Sequence, residues 1–430
     1  MKNLLLTIIL LASVLNATAQ FNLGAEIRPR AEFRNGFKSP SEKNVPPAFF
    51  IEQRSRLYFN YATEKLILKI TFQDVRIWGS VDQIYKADPN MQNVYEAWGQ
   101  FNFNANFGVR AGRMELDYDG ARFLGNLDWA AQARSHDALL FLWRNNNGLK
   151  LDVGLAYNQN WRPEPSWLSQ NFYDHSVTNN YKTMQFARFE KKSATGNLVA
   201  LIHNDGRQVA SDSSMAYRQT YALIADKKLG GVKLSSELYY QGGKNGNAQK
   251  VNAFLASLYA TFTTRITPLT IGGEYLSGTS NAAAADNKDN AFAPLYGTNH
   301  KFYGLMDYFY VGNPHDNRGL VDLNIKTAFR VSDKAKLMAQ LHHFLSPVEI
   351  PDPANTSQAL TRSLGTEIDL VYLVQLHEAV KLHVGYSQMF ATGSLEEIKG
   401  TVNASAMNNW AWLMVTFKPT LFETKKEDSP

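Results

Sequence analysis

Arginines set at alternating positions are the first chemical signal in this chain. Arg28, Arg30 and Arg34 fall two or four residues apart, and Arg54 and Arg56 repeat the spacing beside Glu52. Asp74 and Arg76 follow, then Arg110 and Arg113, then Arg122 and Arg134 in the loop beyond. In an extended chain, residues two apart share a face. A guanidinium is permanently charged and offers a planar donor fork that matches carboxylates and phosphates. A row of them would attract an anionic solute and pass it along, provided each site releases it easily. The same residues fit a second role. Glu26, Glu32, Glu52, Asp74 and Glu96 interleave with the arginines, and opposite charges on one face would pair and stiffen a wall. Both roles stand at this point.

The second half of the chain is less basic. Glu237, Glu274, Asp322, Glu367 and Asp369 mix there with Lys233, Lys326 and Arg330. Glu367 and Asp369 share a strand face and could couple as acid and base. Acids are common on inward faces of pores, so no residue is assigned to catalysis. Asp286, Lys288 and Asn290 sketch a calcium loop, but Ala291 stands where glycine is needed and Gly297 replaces the bidentate glutamate. His342 and His343 are adjacent and point to opposite faces of a strand. The chain has no phosphate-cradling glycine loop and no nucleophile elbow. No cofactor and no metal are expected. Without cysteine, zinc-thiolate and disulfide scaffolds are excluded. A formal charge of +5 gives no reason to expect nucleic acid.

The elements that position these groups read as strands. In 21–34, Phe21, Leu23, Ala25, Ile27, Ala31 and Phe33 alternate with Asn22, Glu26, Arg28, Arg30, Glu32 and Arg34. The same two-faced pattern recurs at 66–73, 94–105, 107–112, 148–158, 231–242, 320–331 and 363–372. It is poorer at 181–190 and 217–226, where spacing carries the assignment. Connectors alternate in length. Eight short turns, from Ala62–Lys65 to Leu376–Ala379, separate nine long loops: 35–49, 80–93, 118–135, 161–179, 207–215, 243–249, 279–318, 347–361 and 391–406. That makes about 18 strands, an even number with short turns on one side, as in bacterial outer-membrane barrels. The fold predicted is all-β, a transmembrane antiparallel up-and-down β-barrel over 20–422. Aromatic residues make up 12% of the chain, and Trp410-Ala-Trp412 near the end suits a closing strand with interfacial rings.

The N-terminus reads as a secretory signal over residues 1–19. Lys2, the apolar run Leu4–Val14 and the small-x-small site Ala17-Thr18-Ala19 supply its three parts. Residues 423–430 read as a short charged tail. Unpaired backbone groups in hydrocarbon cost several kcal/mol each, so a membrane sheet must close on itself. A ring of that many strands is too wide for side chains to fill and holds water unless loops occupy it. Loop 279–318 is the longest. It has a small, polar start and an aromatic middle from Phe292 to Tyr310. An inward fold and an external position fit it equally.

Several motifs carry a family resemblance. Val109-Arg-Ala-Gly-Arg113-Met-Glu115-Leu-Asp-Tyr-Asp-Gly120-Ala-Arg122-Phe123-Leu-Gly125-Asn-Leu-Asp128-Trp129, followed by Arg134 and Asp137, resembles the signature of the alginate export porin family. Phe72-Gln73-Asp74-Val75-Arg76, Asn299-His300-Lys301-Phe302-Tyr303-Gly304 with Asp307, and Leu364-Gly365-Thr366-Glu367-Ile368-Asp369-Leu370 with Gly385-Tyr386-Ser387 support it. The resemblance implies an 18-stranded channel in the bacterial outer membrane. Its best-understood members pass an anionic polysaccharide through an arginine-lined constriction. Arg76, Arg113, Arg122 and Arg134 would then belong to the motif-bearing wall and its adjoining loop. The partners implied are outer-membrane lipid, an anionic sugar or polysaccharide cargo, and a periplasmic export partner. The departure in the second half leaves the cargo open. A general diffusion porin and a non-conducting adhesion or scaffold barrel are the alternatives; an outer-membrane hydrolase using Glu367 is a more distant one.

Overall fold

The computed structural model describes residues 19–81, 91–158, 181–209, 214–309 and 317–424. The leader up to residue 18, the predicted loop 161–179, parts of 80–93, 207–215 and 279–318, and the tail from 425 lie outside them. The described chain forms a closed barrel of 18 long antiparallel strands. In chain order these are β1 (Gln20–Asn35), β2 (Ala48–Ala62), β3 (Leu66–Ile77), β4 (Met91–Asn102), β5 (Phe107–Met114), β6 (His136–Arg144). They continue as β7 (Leu149–Tyr157), β8 (Thr183–Ser193), β9 (Gly196–Gln208), β10 (Met215–Leu229), β11 (Val232–Lys244), β12 (Lys250–Phe262). The last are β13 (Leu269–Leu276), β14 (Leu320–Ser332), β15 (Ala335–Leu345), β16 (Ser363–His377), β17 (Val380–Ala391) and β18 (Asn408–Phe417). Each pairs with its sequence neighbours, and β18 closes on β1 through pairs such as Ala31↔Leu413. A final piece, Thr420–Glu423, continues that seam along the start of β1.

Alternation sorts the side chains. Ile27 and Phe33 of β1 are exposed on the outer surface, while Glu26, Arg28, Arg30 and Glu32 are buried inside. Exposed outward rings gather near the short turns (Phe101, Trp143, Phe262, Phe329, Phe417) and near the loops (Phe33, Phe49, Tyr157, Tyr217, Phe390). Two such belts match the two water–lipid boundaries. The short turns are tight. In Asn145–Gly148, the Asn145 side chain accepts from the backbone of Asn147 and Leu149. Gly148 sits at φ 74, where a Cβ would come within 2.6 Å of the Lys192 carbonyl. Leu238 lies midway along β11, 51% exposed. Leu238→Arg is expected to cost ~2–4 kcal/mol at mid-membrane. The loss would be read as lower assembly yield into lipid vesicles; normal yield would contradict the facing.

Two long loops turn inward. One runs from β5 to β6 (115–135); the other, between β13 and β14, is described over 277–309 and 317–319. The second carries a short helix, α1 (Asn281–Ala285), and a strand fragment, Lys288–Asp289, laid parallel on β12. Phe123 and Leu124 of the first loop and Phe292, Tyr296, Tyr303, Met306, Tyr308 and Phe309 of the second are buried within the barrel. They pack on inward residues such as Leu140, Met184, Phe186, Leu201, Leu255 and Phe344. Of the two placements open to loop 279–318, the structure takes the inward one. It also corrects the expectation of a polar inner face throughout. On β6, β8 and β12 that face carries Leu140, Met184, Phe186, Val251, Ala253 and Leu255, which seat these loops, while on β9 to β11 apolar Leu201, Ala222 and Tyr239 stand among His203, Asp205, Arg218 and Gln241. A second helix, α2 (Gly393–Lys399), packs Leu395 into the same cluster from the β17–β18 connection.

Candidate functional site

The arginine wall is built by the inward rows of β1 and β2, which their register sets side by side: Glu26↔Arg56, Arg28↔Arg54 and Arg30↔Glu52. Arg54 donates to Glu26 at 2.5 and 2.8 Å. Arg30 bridges Glu32 at 2.8 Å and Glu52 at 2.7 Å. Arg34 bonds the other oxygen of Glu32, which also accepts from the Trp410 indole. Arg56 donates to Gln73 and lies 3.8 Å from the centre of the Tyr95 ring. Tyr95 reaches it through a bulge in β4. The register slips between Thr71 and Phe72, so Tyr95 and Glu96 both turn inward. Glu96 pairs with Lys69 at 2.5 Å and accepts from Trp98. Arg110 on β5 faces inward, bonded to Gln100 at 2.8–2.9 Å, with its guanidinium 4.1 Å from the Trp98 ring.

Three predicted wall residues do not face inward. Asp74 and Arg76 continue the outward row of Leu68, Ile70 and Phe72, and pair with each other at 2.7 Å. Their partners across β2, Ser55 and Gln53, share the outer row of Leu57. Arg113 lies opposite Ala97 and Asp137 on the outside, and bridges Asp137 at 2.9 Å. All three sit at the loop ends of their strands, where an outward charge meets water and headgroups rather than hydrocarbon. The correction follows from parity: an odd offset moves a side chain to the other face. Arg110 and Arg113 are three apart and cannot share a face.

Loop 115–135 crosses the lumen on charged tethers. Asp119 takes two bonds from Arg188 on β8, at 2.5 and 2.7 Å. Arg122 reaches the opposite wall from the arginines. It forks onto Glu274 of β13 at 2.5 and 2.8 Å and bonds Glu237 of β11 at 3.0 Å. Phe302 stacks on its guanidinium at 3.6 Å and Tyr303 accepts from it. Burial works against its charge, but Glu274 outweighs it and holds the proton more firmly than usual. Six residues later, Asp128 lands on the arginine wall. Six extended residues reach about 20 Å, enough to join the two sides with side chains added at both ends. Arg134 ties the loop to its neighbour, donating to the carbonyls of Gly125 and Gly297.

Asp128 meets three arginines at once: Arg54 at 2.7 Å, Arg28 at 3.3 Å and Arg56 at 3.5 Å. Its backbone carbonyl takes Arg28 at 2.8 Å, and the Trp129 carbonyl takes Arg30 at 2.6 Å. Desolvation raises the Asp128 carboxyl, but Arg54 and Arg28 hold it below the usual carboxylate range. Trp129 stacks on His300 at 4.5 Å and meets Trp412 edge-on at 4.8 Å.

Glu367 and Asp369 face inward on β16 and are fully buried. Glu367 accepts from the backbone of Met306 at 2.8 Å, and Asp369 accepts from Ser387. Glu367 therefore anchors the second inward loop, whereas Asp369 bonds within the wall to β17. His342 bonds Asp322 inside, while His343 bonds Thr366 on the other face. Lys399 of α2 donates to the carbonyl of Tyr308 in that loop. Burial and then Lys38 push its ammonium down to about 7 from 10.5. As pH falls from 10.5 to 7, a released Lys399 takes a proton that the docked one refuses, so docking weakens across that window and levels off below it. Lys399→Met is expected to flatten this dependence, read as channel-opening frequency between pH 10 and 6.

Sequence reasoning placed Arg122 and Arg134 in a loop but missed Asp119, Asp128 and Arg188 as tethers. The available signal was the weak alternation at 181–190 and 217–226. Met184, Phe186, Ala222 and Ile224 are buried inward there, which a water-facing wall gives no reason to expect.

The sequence model of the family described as Alginate export matches residues 19–408. No curated protein matches the chain. Among solved structures, Pseudomonas aeruginosa OpdQ is similar with a TM-score of 0.61 at 9% identity, over 94% of this chain and 98% of that one. P. aeruginosa OpdK, solved with vanillate, has a TM-score of 0.61 at 11% identity, over 93% and 98%. P. aeruginosa OccK2 (OpdF), solved in complex with glucuronate, has a TM-score of 0.60 at 14% identity, over 94% and 97%. At such identities the likeness speaks to the fold.

Proposed function

Because the chain belongs to the alginate export family and is an outer-membrane barrel channel, we propose that it conducts carboxylated sugars or their polymers past the β1–β2 arginine wall. One observation carries this reading. Arg28, Arg56 and Arg110 face inward, and among the described residues the barrel wall sets no carboxylate within 4 Å of any of them. Wall pairing accounts for Arg30, Arg34 and Arg54; it leaves these three charges for something else. Two of the structural neighbours were solved with glucuronate and with vanillate, both carboxylates. That agrees with the chemistry the arginines would select. Residues 1–19 would direct export and be removed.

The test is electrical. In planar bilayers the purified protein should prefer anions, and glucuronate or alginate oligomers should block its current at concentrations where neutral glycans do not. A cation-preferring current, or equal block by neutral glycans, would sink the reading. A non-conducting scaffold has one observation in its favour: the two inward loops pack an apolar core inside the barrel. Current that stays absent after those loops are released would support that second reading.

A further inference from the structure

The arginine wall already holds a carboxylate, and it belongs to the protein. Asp128 is the only carboxylate within 4 Å of Arg28 and of Arg56 among the described residues. It thus does for these two arginines what a solute carboxylate would do.

Three features distinguish this contact from a permanent structural pair. Its partners are buried, with side chains 2–7% exposed, whereas the Asp128 side chain is 50% exposed to the lumen. Only one of its three ionic contacts is short: Arg54 at 2.7 Å, against 3.3 Å for Arg28 and 3.5 Å for Arg56. Arg54 also keeps a partner without it, since Glu26 binds it at 2.5 Å. Asp128 could therefore leave without stranding Arg54, and it would expose two guanidiniums to the lumen.

The segment around it is built as a projecting tip. Leu127 and Ala133 both take left-handed backbone, at φ 53 and φ 54, a conformation non-glycine residues rarely adopt. The Asn126 side chain accepts from the Asp128 amide at 3.1 Å and presents the carboxylate to the wall.

We propose that Asp128 is a tethered stand-in for the cargo's carboxylate, occupying the Arg28–Arg54–Arg56 site in the empty channel and displaced by an incoming carboxylated sugar. This rests on the carboxylate-conducting reading above. A tethered group competes at an effective concentration in the millimolar range. Solutes present at lower concentration are held off unless several carboxylates bind together. The device favours polymers over single sugar acids, and it keeps the arginines satisfied between passages.

The experiment compares glucuronate block of single-channel current in wild type, Asp128→Asn, Asp128→Glu and Asp117→Asn. Asp117→Asn removes the same charge from the same loop, and among the described residues Asp117 makes no ion pair with the wall arginines, which pair with Asp128 instead. Asp128→Asn is expected to lower the half-blocking glucuronate concentration about tenfold, the competition a millimolar tether imposes. Asp128→Glu and Asp117→Asn should stay within about twofold of wild type on the same argument. Equal shifts in Asp128→Asn and Asp117→Asn would mean bulk lumen charge and overturn the proposal, as would weaker block in Asp128→Asn. If wild type and all variants ignore glucuronate and prefer cations, the underlying reading fails with it. If wild type is anion-selective but Asp128→Asn does not shift, only the stand-in role fails.

Discussion

Replacing Arg28 and Arg56 together with methionine is expected to abolish anion preference and raise the half-blocking glucuronate concentration at least about thirtyfold. Each arginine would contribute one charge-assisted bond of roughly 1–1.5 kcal/mol in a hydrated lumen. Two such bonds make about 2–3 kcal/mol, and each 1.36 kcal/mol is a factor of ten. The pair is chosen because its removal strands no buried charge: the one carboxylate both lose is half-exposed Asp128. Arg54→Met should behave differently. It leaves Glu26, 4% exposed, without its principal ion pair, and breaking a buried pair costs about 3–5 kcal/mol. That variant should lose barrel stability, seen as lower resistance to heat in detergent, as well as selectivity. The reversal potential in a salt gradient reads the first effect. An Arg28→Met/Arg56→Met channel that keeps wild-type selectivity would remove these residues from the conduction path.

The barrel was legible because lipid imposes a simple rule on every strand. One face must be apolar, so Ile27, Leu238 and Leu323 announce it at period two, and all three are exposed outside. Chain length between turns then counts the strands. The lumen follows no such rule. Its inner face is polar where it meets water or charged loops, as at Arg28 and Arg54, and apolar where it seats the plug, as at Leu140 and Phe186. Apolar residues on the inner face blur the period, and Met184 and Phe186 beside Arg188 and Glu190, and Ala222 and Ile224 beside Arg218 and Thr220, are why 181–190 and 217–226 read poorly. Those weak stretches are part of the plug's seat. Site residues were legible by parity where strands were regular, as for Arg54 and Arg56. They were misplaced where the count ran past a parity change, as for Arg113 three residues after Arg110. The Glu96 side chain faces inward because the bulge at Tyr95 restores its parity. Asp128 left no periodic trace, because its position depends on where a loop lands after crossing the barrel.

Arg122→Ala should release the inward loop 115–135 from the acidic wall and raise the open fraction of the channel. The single guanidinium carries the loop's attachment to the acidic wall, with a fork onto Glu274, a bond to Glu237 and the Phe302 face against it. Arg122 and Glu274 are each 1% exposed at the side chain. Truncating the arginine leaves Glu274 buried with the Tyr259 hydroxyl as its remaining donor, at a cost of about 3–5 kcal/mol to the docked state. The cost falls on docking and not on the barrel, since the released loop lets water reach Glu274 while every strand pair stays intact. A shift of that size changes the docked-to-released ratio by roughly a hundred- to a few-thousandfold. Openings should become correspondingly more frequent than in wild type, with unchanged gel mobility of the folded barrel. Glu274→Gln added to Arg122→Ala should recover part of the closed time, because the orphaned charge that drives release is gone. Arg122→Lys should fall between, keeping the charge without the two-pronged geometry. If Arg122→Ala conducts like wild type, the tether does not hold the loop. If it opens and Glu274→Gln restores nothing, the energy resides in the apolar packing of Phe123 and Tyr303 rather than in the buried pair.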